Sequence, residues 1–224
     1  MADPLLQFEH VSFRSEGGRL VLEAADWTLA RGAKVDLRAA SSHNVAALFR
    51  LAAGLAVPQA GQVLLDGIPL GPHTFDHPFL GRGALGWVPR EGGLLANQSL
   101  LQNIALPLMF TKGMDRASAE ALADRTLEEA GLGHMAAHRP HALDPGERWL
   151  GALVRAAAMD PELWLVDHPP AGLSRADQAA AAAVLGRAAA SPASMAIAAL
   201  AAWIPGARLQ AIGLDNGSLV PEEA

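Results

Sequence analysis

The chain has 224 residues, of which 51% are hydrophobic and 18% charged, with a formal net charge of −6. A sizeable buried core follows, while wholesale disorder is excluded and a nucleic-acid-binding chain is disfavoured. No cysteine is present, which removes disulfides, thiolate metal sites and cysteine nucleophiles together. The opening residues Met1–His10 lack the basic and apolar regions of a secretory signal. The most apolar late stretch, Ser194 to Pro205, is about half the ~20 residues a membrane span needs. A soluble, intracellular α/β chain is therefore expected. Its 17 basic residues are 15 arginines and two lysines, Lys34 and Lys112, so any chemistry that needs a lysine has two candidates.

Strand-like segments come first. Leu5–Phe13 alternates apolar and polar residues, Gly17-Gly18 turns the chain, and Leu20–Leu29 resumes the pattern. Lys34–Arg38 is a short strand, and Ser41–Asn44 offers capping residues ahead of a helix over Val45–Leu55. A further strand is predicted at Gln62–Asp66 and a buried one at Leu85–Val88. Helical periodicity runs from Asp115 to Ala130, with Gly131 at the C-terminal cap position. Asp144, Pro145 and Glu147 form a helix start: aspartate as cap, proline at the first position, glutamate at the third. Leu163–Val166 is an apolar strand, Ser174 caps an alanine-rich helix to Ala190, and Met195–Leu200 is another strand. An Asn216-Gly217 hairpin closes the chain. A β-rich start followed by alternating strands and helices argues a mostly parallel sheet covered by helices.

Nine phrases in this order resemble the ATP-binding cassette (ABC) ATPase domain. They include Phe8–Phe13, Leu51-Ala-Ala-Gly-Leu55, Pro58–Gly67, Gly93–Leu108, Leu163–Pro169, Ala171-Gly-Leu173 and Asp215–Leu219. The resemblance spans almost the whole chain. It implies a single P-loop NTPase-like α/β domain over residues 1–224, with a β-rich N-terminal subdomain and a helical subdomain at roughly 92–157.

Known family positions can then be inspected one by one. A phosphate-binding loop G-x-x-x-x-G-K-[ST] is implied just before Leu51, its glycines freeing backbone N–H groups for phosphate and its lysine and hydroxyl serving phosphate and Mg²⁺. This chain has Ala39-Ala-Ser-Ser42-His43-Asn44-Val45-Ala46 there, without either glycine, the lysine or the metal hydroxyl. Asn44 tolerates a left-handed backbone, which could preserve the loop shape. The glutamine that helps hold metal and water is replaced by Arg90. The signature sequence reads Leu143-Asp144-Pro145-Gly146-Glu147, which puts a carboxylate where a phosphate would sit and deletes one N–H donor. Asp167 matches the metal-associated aspartate, His168 stands in place of the catalytic glutamate, and the switch histidine falls on Leu200. The adenine-stacking aromatic falls near Arg14-Ser15, beside Phe13.

A charge-assisted hydrogen bond is worth about 1.5–3 kcal/mol. Losing the lysine, the hydroxyl and a loop donor removes roughly 5 kcal/mol from a micromolar binding energy of about 8 kcal/mol, leaving millimolar affinity. On this reading no residue is catalytic, no metal or other cofactor is held, and ATP and Mg²⁺ binding is weak or absent. The chain is then expected to be no enzyme but an inactive, ABC-like scaffold or regulatory subunit.

Two further readings stay open. One is a divergent ATPase with His168 as base, since imidazole titrates near neutrality. The other is a binding module taking a small anion at Ser41–Asn44. His134, His138 and His141 are read as a solvated loop, as are His73, Asp76 and His77. Trp27, Trp149, Trp164 and Trp203 are read as packing residues. Residues Gly93–Leu108 resemble the segment that receives the membrane subunit in ABC transporters, which implies docking through Arg90, Gly93, Leu94, Leu95, Leu100, Asn103 and Pro107. The implied partners are a transmembrane permease and a second cassette, as homodimer or heterodimer, with no nucleic acid. The implied location is cytoplasmic and peripheral on the inner (plasma) membrane, in a lipid or lipoprotein system of Mce/Mla flavour.

Overall fold

Strands β1 (Pro4–Arg14) and β2 (Leu20–Ala30) pair antiparallel and begin a four-stranded sheet. The computed structural model describes residues 3–15, 17–71 and 76–222. Strands β4 (Ala60–Leu65) and β5 (Ile68–Pro69) complete this sheet in the order β2-β1-β4-β5. Leu6, Phe8 and Val11 of β1, with Val63 and Leu65 of β4, bury one face, the expected outcome of apolar–polar alternation. At the irregularity between Glu9 and Ser12, Gly61 adopts φ +75° and lies against the carbonyl oxygens of Glu9 and His10, where a Cβ has no room.

The second sheet has six strands in the order β10-β9-β3-β8-β7-β6. Strands β3 (Lys34–Ala39), β6 (Leu85–Val88), β7 (Leu163–Val166), β8 (Ser194–Ala198) and β9 (Gln210–Asp215) run parallel, and β10 (Ser218–Pro221) returns through the Asn216-Gly217 turn. Strand β7 has all four residues buried because both faces are covered. Leu163 and Leu165 join the core shared with the antiparallel sheet and α1 (Ser42–Ala52), whereas Trp164 and Val166 join a helix-lined core. The helical side contains α3 (Leu100–Thr111), α4 (Arg116–Glu129), α5 (Pro145–Ala158) and α6 (Arg175–Ala190), while α2 is the single turn Pro78–Gly81.

The predicted caps at Asp144 and Ser174 are present. Asp144 accepts from Glu147 N–H at 2.8 Å while Glu147 accepts from Asp144 N–H at 2.8 Å, a reciprocal capping box. Besides the short β5 and α2, for which the sequence reading has no counterpart, two elements differ from it. Helix α3 was not anticipated, and α1 begins at Ser42 rather than Val45. With no glycine to hold the segment after β3 open, the helix extends back by nearly a turn. Among the described residues, no helix is long and apolar enough to cross a membrane.

Candidate functional site

The carboxyl ends of parallel strands are where an α/β sheet presents a crevice. Here β3 leads into Ala39–Ser41 and α1, β6 into Pro89-Arg90, β7 into Asp167-His168, and β8 into Ala199. The residues assigned to the nucleotide site therefore lie largely along one edge, although far apart in sequence.

Ser41 is extended (φ −129°, ψ 121°) and precedes the first turn of α1 without capping it through its side chain. Its hydroxyl instead accepts from Arg19 Nη1 at 3.1 Å, and the hydroxyl of Ser42 accepts from Arg90 Nη1 at 3.1 Å. Two guanidinium groups, one near the β1–β2 turn and one from the end of β6, thus approach consecutive hydroxyls. Asn44 donates its N–H to Ser41 O at 3.0 Å inside the helix, so it does not use the left-handed backbone that would have preserved an open loop. Its side-chain Oδ1 is buried without a partner. Val45, at the lysine position, has turned into the core and is fully buried. Ala46 and His43 face an open cleft of about 410 Å³ that Phe13, Ser15, Arg19 and Arg50 also line. This cleft, bounded by the β1–β2 hairpin and α1, puts Phe13 beside the position expected for a base-stacking aromatic.

At the end of β7 Asp167 is 4% exposed. Its Oδ1 accepts the His168 backbone N–H at 2.7 Å and lies 2.8 Å from His168 Nδ1. With the proton on Nδ1, donated to that oxygen, the lone pair is on Nε2 of a half-buried ring. This is the arrangement of an oriented general base. Leu200 is corrected from a site position to a core residue: it is fully buried in the helix-lined core because Ala199 takes φ +59° and turns the chain after β8. Such a left-handed, exposed alanine is itself a strained position.

The donors present do not fit a bound Mg²⁺ ion, which demands near-octahedral oxygen ligands. Ala46 has no hydroxyl, the glutamine position carries the cation Arg90, and the Ser42 hydroxyl is engaged by that guanidinium. No step is therefore routed through a metal. Asp144 and Pro145 start α5, and Gly146 is buried where a Cβ would press on Leu173 of the following loop.

A second depression of about 490 Å³ lies between β6, α3 and α5. Gly93, Leu95, Asn103 and Pro107 line it, together with Phe110, which is 79% exposed. Three of the residues assigned to docking are placed differently. Leu100, the first residue of α3, is fully buried, and Leu94 packs partly against the same core. Arg90 is directed to Ser42, not to this groove. Asn103 is almost fully buried and structural: it accepts from Leu95 N–H at 2.6 Å and donates to the carbonyls of Leu95, Gln98 and Ser99. Arg155 closes the other end of the segment by donating to Gly93 O at 2.7 Å and Gly92 O at 3.3 Å, and its burial lowers its pKa.

Among the described residues, the other histidines singled out in the sequence lie in or beside short helices and turns. His77 caps α2, accepting from Phe79 N–H at 3.2 Å. His134 and His141 sit in single 3₁₀ turns, and the His138 carbonyl accepts from Leu100 N–H at 2.8 Å. His73 lies outside the described residues.

Residues 22–171 match the family described as ABC transporter. A lipoprotein-releasing system ATP-binding protein LolD of Shewanella sp. (strain MR-4) is 35% identical over 177 residues, covering 77% of this chain and 76% of the relative. LolD 2 of Caulobacter vibrioides is 34% identical over 184 residues, 80% of each chain. The ATP-binding cassette MJ0796, in a dimeric post-hydrolysis state bound to ADP and Pi, superposes with a TM-score of 0.83 at 20% identity, covering 98% of both chains. CbiO1 from Clostridium perfringens gives a TM-score of 0.71 at 19% identity, covering 97% of this chain and 87% of the other. These findings overturn the expectation that the chain is no enzyme. Relatives sharing a third of its residues over three quarters of its length are named ATP-binding proteins, and a cassette of the same fold was captured with the products of hydrolysis.

Proposed function

The chain belongs to the ABC transporter ATP-binding family, and from that premise we propose that it is the ATP-hydrolysing subunit of a lipoprotein-releasing type of transporter. It works as one cassette of a dimer, with itself or with another cassette, on the cytoplasmic face of a transmembrane permease. The groove carrying Leu95, Pro107 and the exposed Phe110 suits an apolar segment of that permease.

The observation that carries the hydrolytic reading is the Asp167–His168 pair at the end of β7. In hydrolysis a water oxygen bonds to the γ-phosphorus while the bond from that phosphorus to the bridging oxygen breaks, and ADP leaves with the bridging oxygen. The water proton passes to His168 Nε2, and Asp167 steadies the resulting imidazolium through Nδ1–H. The base is thus an imidazole where the family uses a carboxylate. The isolated chain is proposed to hold nucleotide weakly, since the loop before α1 offers no lysine, and the cleft beside Phe13 takes the base and ribose.

Phosphate release by the chain assembled with its permease tests this reading. Removing a general base costs about 10²–10⁴-fold, so His168→Ala is expected to lower turnover by at least about 100-fold with little change in nucleotide affinity. Turnover unchanged by that substitution would show that His168 is not the base.

A further inference from the structure

We infer that Arg90, assisted by Arg19, is the cation that receives the terminal phosphates of the nucleotide, in place of a loop lysine and a metal. The inference rests on the nucleotide-binding reading above and names the residues that make it work. Both guanidiniums are anchored on the loop itself, through Ser42 and Ser41 at 3.1 Å each. Neither arginine has a carboxylate partner among the described ion pairs, in contrast to Arg31, Arg38 and Arg82, each paired with two or more acidic groups. Neither guanidinium is thus engaged by a carboxylate at ion-pair distance, and both stand at a helix start, where the first N–H groups have no partner within the helix and the dipole also favours an anion. Val45 has withdrawn into the core, so the charge that a lysine there would have supplied is missing from the loop and is supplied from β6 and the β1–β2 hairpin.

Guanidinium geometry suits this role. Its planar fork of donors matches phosphate oxygens two at a time, and it stays protonated at every relevant pH. One donor of each group holds a serine, leaving the others for ligand. The same substitution accounts for the poor fit to Mg²⁺, because a fixed cation over Ser42 takes both the hydroxyl and the electrostatic role of the ion.

Calorimetric titration of the purified full-length chain with ATP and with AMP, with and without Mg²⁺, tests the assignment. Wild type is expected to bind ATP more tightly than AMP, with the preference surviving removal of the metal. Arg90→Gln is expected to weaken ATP by about tenfold while leaving AMP unchanged, and Arg90→Lys to retain most of the preference. Arg19→Gln is expected to act in the same direction with a smaller effect. An ATP preference that persists in Arg90→Gln would overturn the assignment of Arg90 and leave the nucleotide-binding reading standing. Absence of any ATP preference in wild type would overturn both.

Discussion

Replacing Asp144 by alanine isolates the worth of the helix start that occupies the signature position. The change removes the carboxylate that accepts from Glu147 N–H at 2.8 Å, while the backbone N–H of residue 144 that donates to the Glu147 side chain at 2.8 Å is kept. Loss of an N-cap costs about 0.5–2 kcal/mol, and with only the side-chain half of the capping box lost about 1 kcal/mol is expected. In a domain of this size each kcal/mol moves the melting temperature by about 2–4 °C, so Asp144→Ala should melt about 2–4 °C lower. Asp144→Ser, which keeps a capping oxygen, should lie within about 1 °C of wild type. Differential scanning calorimetry at neutral pH reads both. A melting temperature for the alanine variant within about 1 °C of wild type, or an equal fall for the serine variant, would refute capping as the reason this position holds aspartate.

Gly61→Ala should destabilise the antiparallel sheet by at least about 2 kcal/mol, since alanine must adopt a left-handed backbone and press on two carbonyl oxygens. Denaturant unfolding checks this, and a midpoint unchanged from wild type would contradict the close approach of β4 to β1. Asp115, the N-cap of α4, accepts from the Ser118 hydroxyl at 2.6 Å and from Ser118 N–H at 3.0 Å, which hold its carboxyl below the usual 3.8. A carboxyl depressed on folding stabilises the fold above its unfolded pKa and loses that contribution as pH falls through the lower folded value. Asp115→Asn should therefore melt below wild type at neutral pH, with the gap closing as pH drops beneath 3.8; a constant gap would contradict the linkage.

Elements whose signals were local were legible from sequence. Strand β7, the α5 cap and the closing hairpin each carry their cause within a few neighbouring residues: an apolar run, an Asp-Pro-Gly-Glu start, an Asn-Gly turn. Helix α3 was missed because Pro107 stands inside it and its apolar residues do not settle into one stripe, although Ser99 and Gln102 form a capping box that announces its start. The early start of α1 follows from glycines that are absent, and an absence has no periodicity to detect. The site was legible only in part. Arg90 was placed by family spacing, yet its reach to Ser42 spans 48 residues of sequence and depends on how β6 and β3 are arranged in the sheet. The Asp167–His168 contact was adjacent in sequence, but which ring nitrogen faced the carboxylate depended on the turn after β7.

The division of the interior by the six-stranded sheet also divides the chromophores. Trp149 and Trp164 are buried in the helix-lined core, where Trp203 stands edge-on to Trp149 with ring centroids 6.1 Å apart. Trp27 and Trp87 pack against the core on the opposite face. Tyrosine is absent from the chain, so its near-ultraviolet emission belongs to these five indoles alone. Phenylalanine at Trp27 and Trp87 would leave a signal arising only from the helical side, and phenylalanine at the other three would leave one arising only from the β-rich side. Each core thereby carries its own native optical label, and loosening of one face can be followed while the other remains closed.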